Sequence, residues 1–179
     1  MYEKYYKWVF PKYADKSLKN SDGESDCFRI NVAKEQLNMK KVSQDDIISY
    51  VNDFFKIIGL EPVKNPEVDL ISNPIIRGSY SRIMKDNSLS SKKDIVWMKF
   101  TQDKYLGVVA TGTDINFDID NTSGKIITAL NQKWDERYVL IFPLKKIPTG
   151  LNRQRIESGI GNYLISKNVP ILDFYSHNL

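Results

Sequence analysis

The chain has 179 residues, 41% of them hydrophobic and 27% charged, which is enough apolar material for one core and argues against wholesale disorder. Twenty-six Lys and Arg stand against 22 Asp and Glu, and the resulting charge of +4 suits an anionic partner without demanding one. A single cysteine, Cys27, and a single histidine, His177, exclude an intrachain disulfide and leave no Cys/His set for zinc.

A reducing, cytoplasmic setting is the natural expectation. Met1 to Phe10 carries lysines but no apolar stretch of the kind a signal peptide needs. No apolar run approaches the ~20 residues that span a bilayer, so no membrane partner is expected.

Residues 1–41 are the least regular part and read as an N-terminal arm, with residues 42–179 as a single α+β domain. Tyr2, Tyr5, Tyr6, Trp8, Phe10 and Tyr13 alternate with Lys4, Lys7 and Lys12 in that arm. Aromatic faces between lysines can stack on unpaired bases, pack back on the domain or dock a protein partner. Asn20 to Asp26 is polar and contains Gly23, so it reads as a loop.

The clearest element is a helix from about Gln44 to Ile58. Ser43 is a good N-cap, with Asp46 three residues on and Asp45 beside it at the positive end of the helix. Ile47, Ile48, Val51, Phe54, Phe55 and Ile58 recur at helical spacing, and Gly59 supplies the stop. Pro62, Pro66 and Pro74 then impose extended or looping chain.

Ile95 to Phe100 and Tyr105 to Thr111 are rich in β-formers and joined by a short TQDK link, which predicts a hairpin. Asp114 to Asp120 alternates strictly, so Ile115, Phe117 and Ile119 are expected inward and Asp114, Asn116, Asp118 and Asp120 outward. A short helix is expected near Ser123, with Ile126, Ile127, Leu130 and Trp134 on its apolar side. Tyr138 to Phe142 reads as a strand buried on both faces.

A second long helix is expected from about Arg153 to Lys167, burying Ile156, Ile160, Tyr163 and Leu164; Gly159 and Gly161 weaken it but permit close packing. Val169 to Phe174 reads as a last strand, with Pro170 at its start or on an edge. The fold class is therefore α+β, with a central mixed or antiparallel sheet, a hairpin and about three helices; a mixed α/β sheet is the variant.

Three sets of residues can carry chemistry. The acidic strand resembles the opening of a calcium loop, but the positions that need Gly and Glu hold Ile119 and Lys125. Asp114 or Asp118 could instead contribute to a Mg²⁺ site with an acid from elsewhere; a solvated strand face is the simpler account.

The order of helix, several strands, helix and strand is also that of restriction-endonuclease-like folds, which makes a metal-dependent nuclease the enzymatic alternative. Lys99 and Glu157 join Asp114 and Asp118 as catalytic candidates in that case. Position 97, where such a site needs an acid two residues before the lysine, holds Trp97, and Asp94 has the wrong spacing. Outside that alternative no cofactor and no metal is expected.

The third set is basic. Residues 76–104 hold Arg77, Arg82, Lys85, Lys92, Lys93, Lys99 and Lys104 against Asp86, Asp94 and Asp103. Residues 145–157 hold Lys145, Lys146, Arg153 and Arg155 against Glu157 alone. Residues 42–75 are acidic, so charge is segregated along the chain. Arg77, Ser79, Tyr80 and Arg82 surround Gly78 with guanidinium and hydroxyl donors that suit phosphate oxygens.

The leading expectation is accordingly a nucleic-acid-binding domain, with DNA the first partner to test, as the recognition module of a restriction, defence or other DNA-processing system. A nuclease and a protein-interaction module are the alternatives. The expected contact residues are Arg77, Ser79, Tyr80, Arg82, Lys92, Lys93, Lys145, Lys146, Arg153 and Arg155, with the two basic segments sharing one face.

Overall fold

The computed structural model describes residues 24–69, 82–89, 94–112 and 123–173, with side chains from Arg29 onward. In chain order the named elements are α1 (Glu24–Leu37), α2 (Gln44–Ile58), β1 (Glu67–Asp69), β2 (Asp94–Thr101), β3 (Leu106–Gly112), α3 (Ser123–Ala129), β4 (Trp134–Leu144) and α4 (Arg153–Ser166). A short helical turn at 82–86 lies between β1 and β2. The strands form one antiparallel sheet in the order β1-β4-β2-β3, so the fold is α+β with β2 and β3 as the expected hairpin.

α2 forms where its sequence says it should. The Ser43 hydroxyl oxygen accepts from the Asp46 backbone N–H at 3.1 Å, and the Asp46 carboxylate accepts the Ser43 hydroxyl at 2.8 Å. At the other end Gly59 sits at φ 81, and the N–H groups of Gly59 and Leu60 reach back to the carbonyls of Lys56 and Phe55. A left-handed residue followed by this crossed pair closes the helix and satisfies two of its last carbonyls. Ile47, Val51, Phe54, Phe55 and Ile58 are buried; Ile48, at the stripe's margin, is half-buried.

Phe55 meets Phe142 of β4 edge to face at 6.0 Å, and Phe54 meets Tyr163 of α4 at 5.4 Å, so α2 sits on the sheet with α4 beside it. β2 runs between β4 and β3 and is buried from Ile95 through Thr101. Pro143 is tolerated in β4 because its nitrogen points toward β1, as that of Ile141 does, and β1 has already ended there.

A smaller cluster of Ala33, Ile126, Ile127, Leu130 and Leu172 joins α1, α3 and the segment after α4. Asp173 ties the same three parts together. Its carboxylate accepts two bonds from the Arg29 guanidinium at 2.8 and 2.9 Å and one from the Ser123 hydroxyl, while its N–H donates to the Gly107 carbonyl of β3.

Four expectations change. Residues 24–37 form α1 instead of a loop and irregular chain; its described buried side chains are only Val32, Ala33 and Gln36, too sparse for an apolar stripe. Trp134 does not lie on α3, because Asn131 at φ 55 turns the chain and Trp134 opens β4. β4 itself extends well beyond Tyr138 to Phe142 in both directions. The expected last strand is reduced, among the described residues, to one parallel bridge, Ile171 to Leu106, with the Leu172 and Asp173 N–H groups donating to Leu106 O and Gly107 O; Pro170 has no N–H with which to extend the pairing. Asp114 to Asp120 and Phe174 lie outside the described residues.

Candidate nucleic-acid interface

Antiparallel pairing of β2 with β4 sets Thr101 opposite Trp134, and this brings three connections to one end of the sheet. The β2–β3 turn is closed by Lys104 N–H to Thr101 O at 2.8 Å, with Lys104 in the left-handed region at φ 68. The Gln102 N–H donates to Lys133 O in the α3–β4 connection at 2.8 Å. The α1–α2 connection joins through Lys41 Nζ to Asp103 O at 3.0 Å, and the Tyr105 hydroxyl donates to Leu37 O at 2.9 Å.

Cations and rings interleave on this end. Lys41 Nζ lies 5.0 Å from the Tyr105 ring centre, and Lys99 Nζ lies 5.0 Å from that of Trp134. Tyr138 faces both Arg137 at 4.8 Å and Lys104 at 5.8 Å. These distances are within the range of cation–π attraction. Lys40, Lys125 and Lys133 are exposed nearby.

Among the described residues, acids beside these cations are engaged, and Asp69 lies 3.7 Å from the Arg137 guanidinium. Asp135 pairs with Lys104, and Glu136 lies 3.7 Å from Lys99 Nζ. Burial pushes the Asp135 carboxyl up, but the Lys104 hydrogen bond, the Arg137 and Tyr138 backbone N–H groups and the Lys104 charge outweigh it and hold the pKa below the ordinary value.

Beside these residues, between α3 and the start of β4, is an open cleft of about 840 Å³. Ile127, Thr128, Ala129 and Trp134 form its apolar walls; Gln102, Gln132, Lys125, Lys133 and Glu136 supply its polar groups. Its volume falls in the usual range for small-ligand sites. Trp134 Nε1 and Gln132 Oε1 are buried with no hydrogen-bond partner. Gly107 lets the indole lie on β3, since a methyl there would collide with Trp134 Cζ3 and stand 2.8 Å from Cη2.

The residues singled out from the sequence fall elsewhere or outside the described set. Arg77, Ser79, Tyr80, Lys92, Lys93, Asp114 and Asp118 lie outside it. Arg82 is exposed and donates to the Glu67 carbonyl at the β1 edge. Lys145, Arg153 and Arg155 come together at the opposite end of the sheet. There Lys145 pairs with Glu61 at 3.0 Å, Arg153 with Asp94 at 3.3 Å, and Arg155 donates to Gly150 O at 3.4 Å.

The hydrogen bond and charge of Lys145, helped by the charge of Lys146, hold the Glu61 carboxyl below its ordinary pKa. Lys146 is exposed. Two of the four cations at that end, Lys145 and Arg153, are therefore offset by carboxylates.

Lys99 and Glu157 are both buried but belong to different places. Arg153 fixes the start of α4 at Asp94, the start of β2. From there Glu157 is ~6 Å along the helix and Lys99 ~16 Å along the strand. Among the described residues no group of three or more His, Cys, Asp or Glu side chains could hold a metal ion. No described helix is long and apolar enough to cross a membrane.

The basic, aromatic end was missed because its parts are scattered in sequence. A contiguous stretch of sequence holds only part of it, whereas the hairpin and the β2–β4 register join 99–105 to 133–138. Pairing the hairpin with the strand after Ser123 would have exposed the juxtaposition. No protein-family model, no curated protein and no solved structure matches the chain.

Proposed function

We propose that the chain is a nucleic-acid-binding domain whose contact surface is the end of the sheet formed by the β2–β3 turn, the α1–α2 connection and the start of β4. The observation that carries this reading is the convergence of the exposed Lys40, Lys41, Lys125 and Lys133 around Tyr105 and Trp134, beside Lys104 and Arg137 on Tyr138, which pair with Asp135 and Asp69. Lysines along a backbone and aromatic or apolar surface for bases are the two components of non-sequence-specific recognition.

The opposite end brings four cations together, Lys145, Lys146, Arg153 and Arg155, of which Lys145 and Arg153 pair with Glu61 and Asp94. A polyphosphate chain would meet paired cations at either end, and at the first it would also meet the exposed Lys40, Lys41, Lys125 and Lys133.

The test is fluorescence anisotropy of labelled DNA and RNA oligonucleotides with the full chain at low salt. Saturable binding is expected, weakened at least tenfold in Lys125→Glu/Lys133→Glu. Absence of binding to any oligonucleotide, or a double variant that binds as the wild type does, would reject the reading.

A further inference from the structure

The surface described above has a shape that a duplex does not need. Phosphates of double-stranded nucleic acid can be met by a flat or convex basic patch, because the bases stay inside the helix. Here the basic patch adjoins a cleft of about 840 Å³, and the two features share Lys125, Lys133 and Trp134. The cleft walls are apolar at Ile127 and Trp134, whereas the amide groups of Gln102 and Gln132 stand among them. Lys125 and Lys133, both exposed, stand in the lining of the cleft. Glu136 is the acid in the lining, and Lys99 at 3.7 Å already offsets it.

We infer that this cleft takes one unpaired nucleotide of a single-stranded nucleic acid, its base against Ile127 and Trp134 and its flanking phosphate at Lys125 and Lys133. The inference rests on the nucleic-acid reading and adds the strandedness of the partner and the seat of the base.

A planar heterocycle buries two faces against apolar walls and satisfies its edge with amides, which both donate and accept. Gln132 Oε1 and Trp134 Nε1 have hydrogen-bonding capacity that no protein group uses. A paired base cannot enter, because reaching the cleft requires the nucleotide to leave its stack.

Ala129 closes α3, is exposed and lines the cleft, so Ala129→Trp fills the space without altering charge. Anisotropy is measured for a labelled single-stranded oligonucleotide and for the matching blunt duplex, with wild type and variant, after circular dichroism confirms the fold. Wild type should bind the single strand at least tenfold more tightly than the duplex. Ala129→Trp should lose at least tenfold on the single strand and stay within twofold on the duplex.

Thr128→Trp, at the neighbouring exposed lining position, is the second variant should Ala129→Trp not fold, with the same expectation. Wild-type binding that the filled cleft leaves unchanged, or loses equally on both ligands, overturns the base site while leaving the nucleic-acid reading standing. A wild type that binds neither ligand overturns that reading itself.

Discussion

Gly107→Ala is the smallest change that tests how the cleft floor is built. The added methyl would overlap Trp134 Cζ3, stand 2.8 Å from Cη2 and lie 3.3 Å from the Lys99 carbonyl oxygen. The strand backbone is fixed by β2 pairing on one side and by the Leu172 and Asp173 N–H groups on the other, so the indole has to move. Overpacking of this kind costs ~1–3 kcal/mol.

With a urea dependence of ~2 kcal/mol per M, the unfolding midpoint should fall by ~0.5–1.5 M. Trp134→Leu removes the group that the methyl meets, so the two substitutions should be non-additive, with Gly107→Ala costing less than ~0.5 kcal/mol in the Trp134→Leu background. The assay is urea unfolding followed by circular dichroism for wild type, both single variants and the double variant. An alanine variant as stable as wild type, or strictly additive effects, would refute the account of Trp134 resting on Gly107.

Further expectations follow from the same contacts. Phe54→Ala should cost ~3–5 kcal/mol and lower the melting temperature by ~6–20 °C in calorimetry, since Phe54 is fully buried beneath α4; a loss under ~1 kcal/mol would contradict that packing. Asp173→Ala strips the carboxylate from Arg29 and Ser123 and should destabilise by ~3–5 kcal/mol in urea unfolding, whereas an unchanged midpoint would show that α1 does not depend on this tie.

The Asp135 carboxyl is held below its ordinary pKa, so its contribution is present above the unfolded carboxylate pKa and is lost as pH falls through the lower folded value. Lys104→Met removes the main group that lowers it and leaves the burial that raises it. The Asp135 pKa, followed by carboxyl NMR, should therefore rise; an unmoved titration would remove Lys104 as the cause.

How legible the molecule is from sequence depends on how local each cause is. α2 was legible because Ser43, Asp46 and Gly59 encode its ends and its apolar stripe encodes its buried face. The hairpin was legible because TQDK separates two runs of β-formers, and α4 because Ile156, Ile160, Tyr163 and Leu164 keep helical spacing despite Gly159 and Gly161.

α1 was not legible, since much of its anchorage comes from Asp173, 144 residues from Arg29. Val169 to Phe174 has strand composition, yet Ile171 makes only one bridge to β3. The basic end was hidden for the same reason as α1: none of Lys41, Lys104 and Lys133 is close to another in sequence, and tertiary pairing alone assembles them. Conversely, the basic run at 145–157 stood out in sequence, but the fold sets Glu61 and Asp94 against it.

The most direct test of the central claim compares the two ends of the sheet in one salt titration. Affinity for a labelled single-stranded oligonucleotide is measured from low to physiological salt for wild type, for Lys40→Ala/Lys125→Ala/Lys133→Ala, and for Lys145→Ala/Lys146→Ala/Arg155→Ala. Each lost phosphate contact should flatten the log–log slope by ~0.7 on a single strand. The first triple variant should lose a slope of about 2 and bind weakly at every salt, and the second should follow the wild-type line. A second triple variant that loses the slope while the first retains it, or a wild type that does not bind at low salt, would contradict the account.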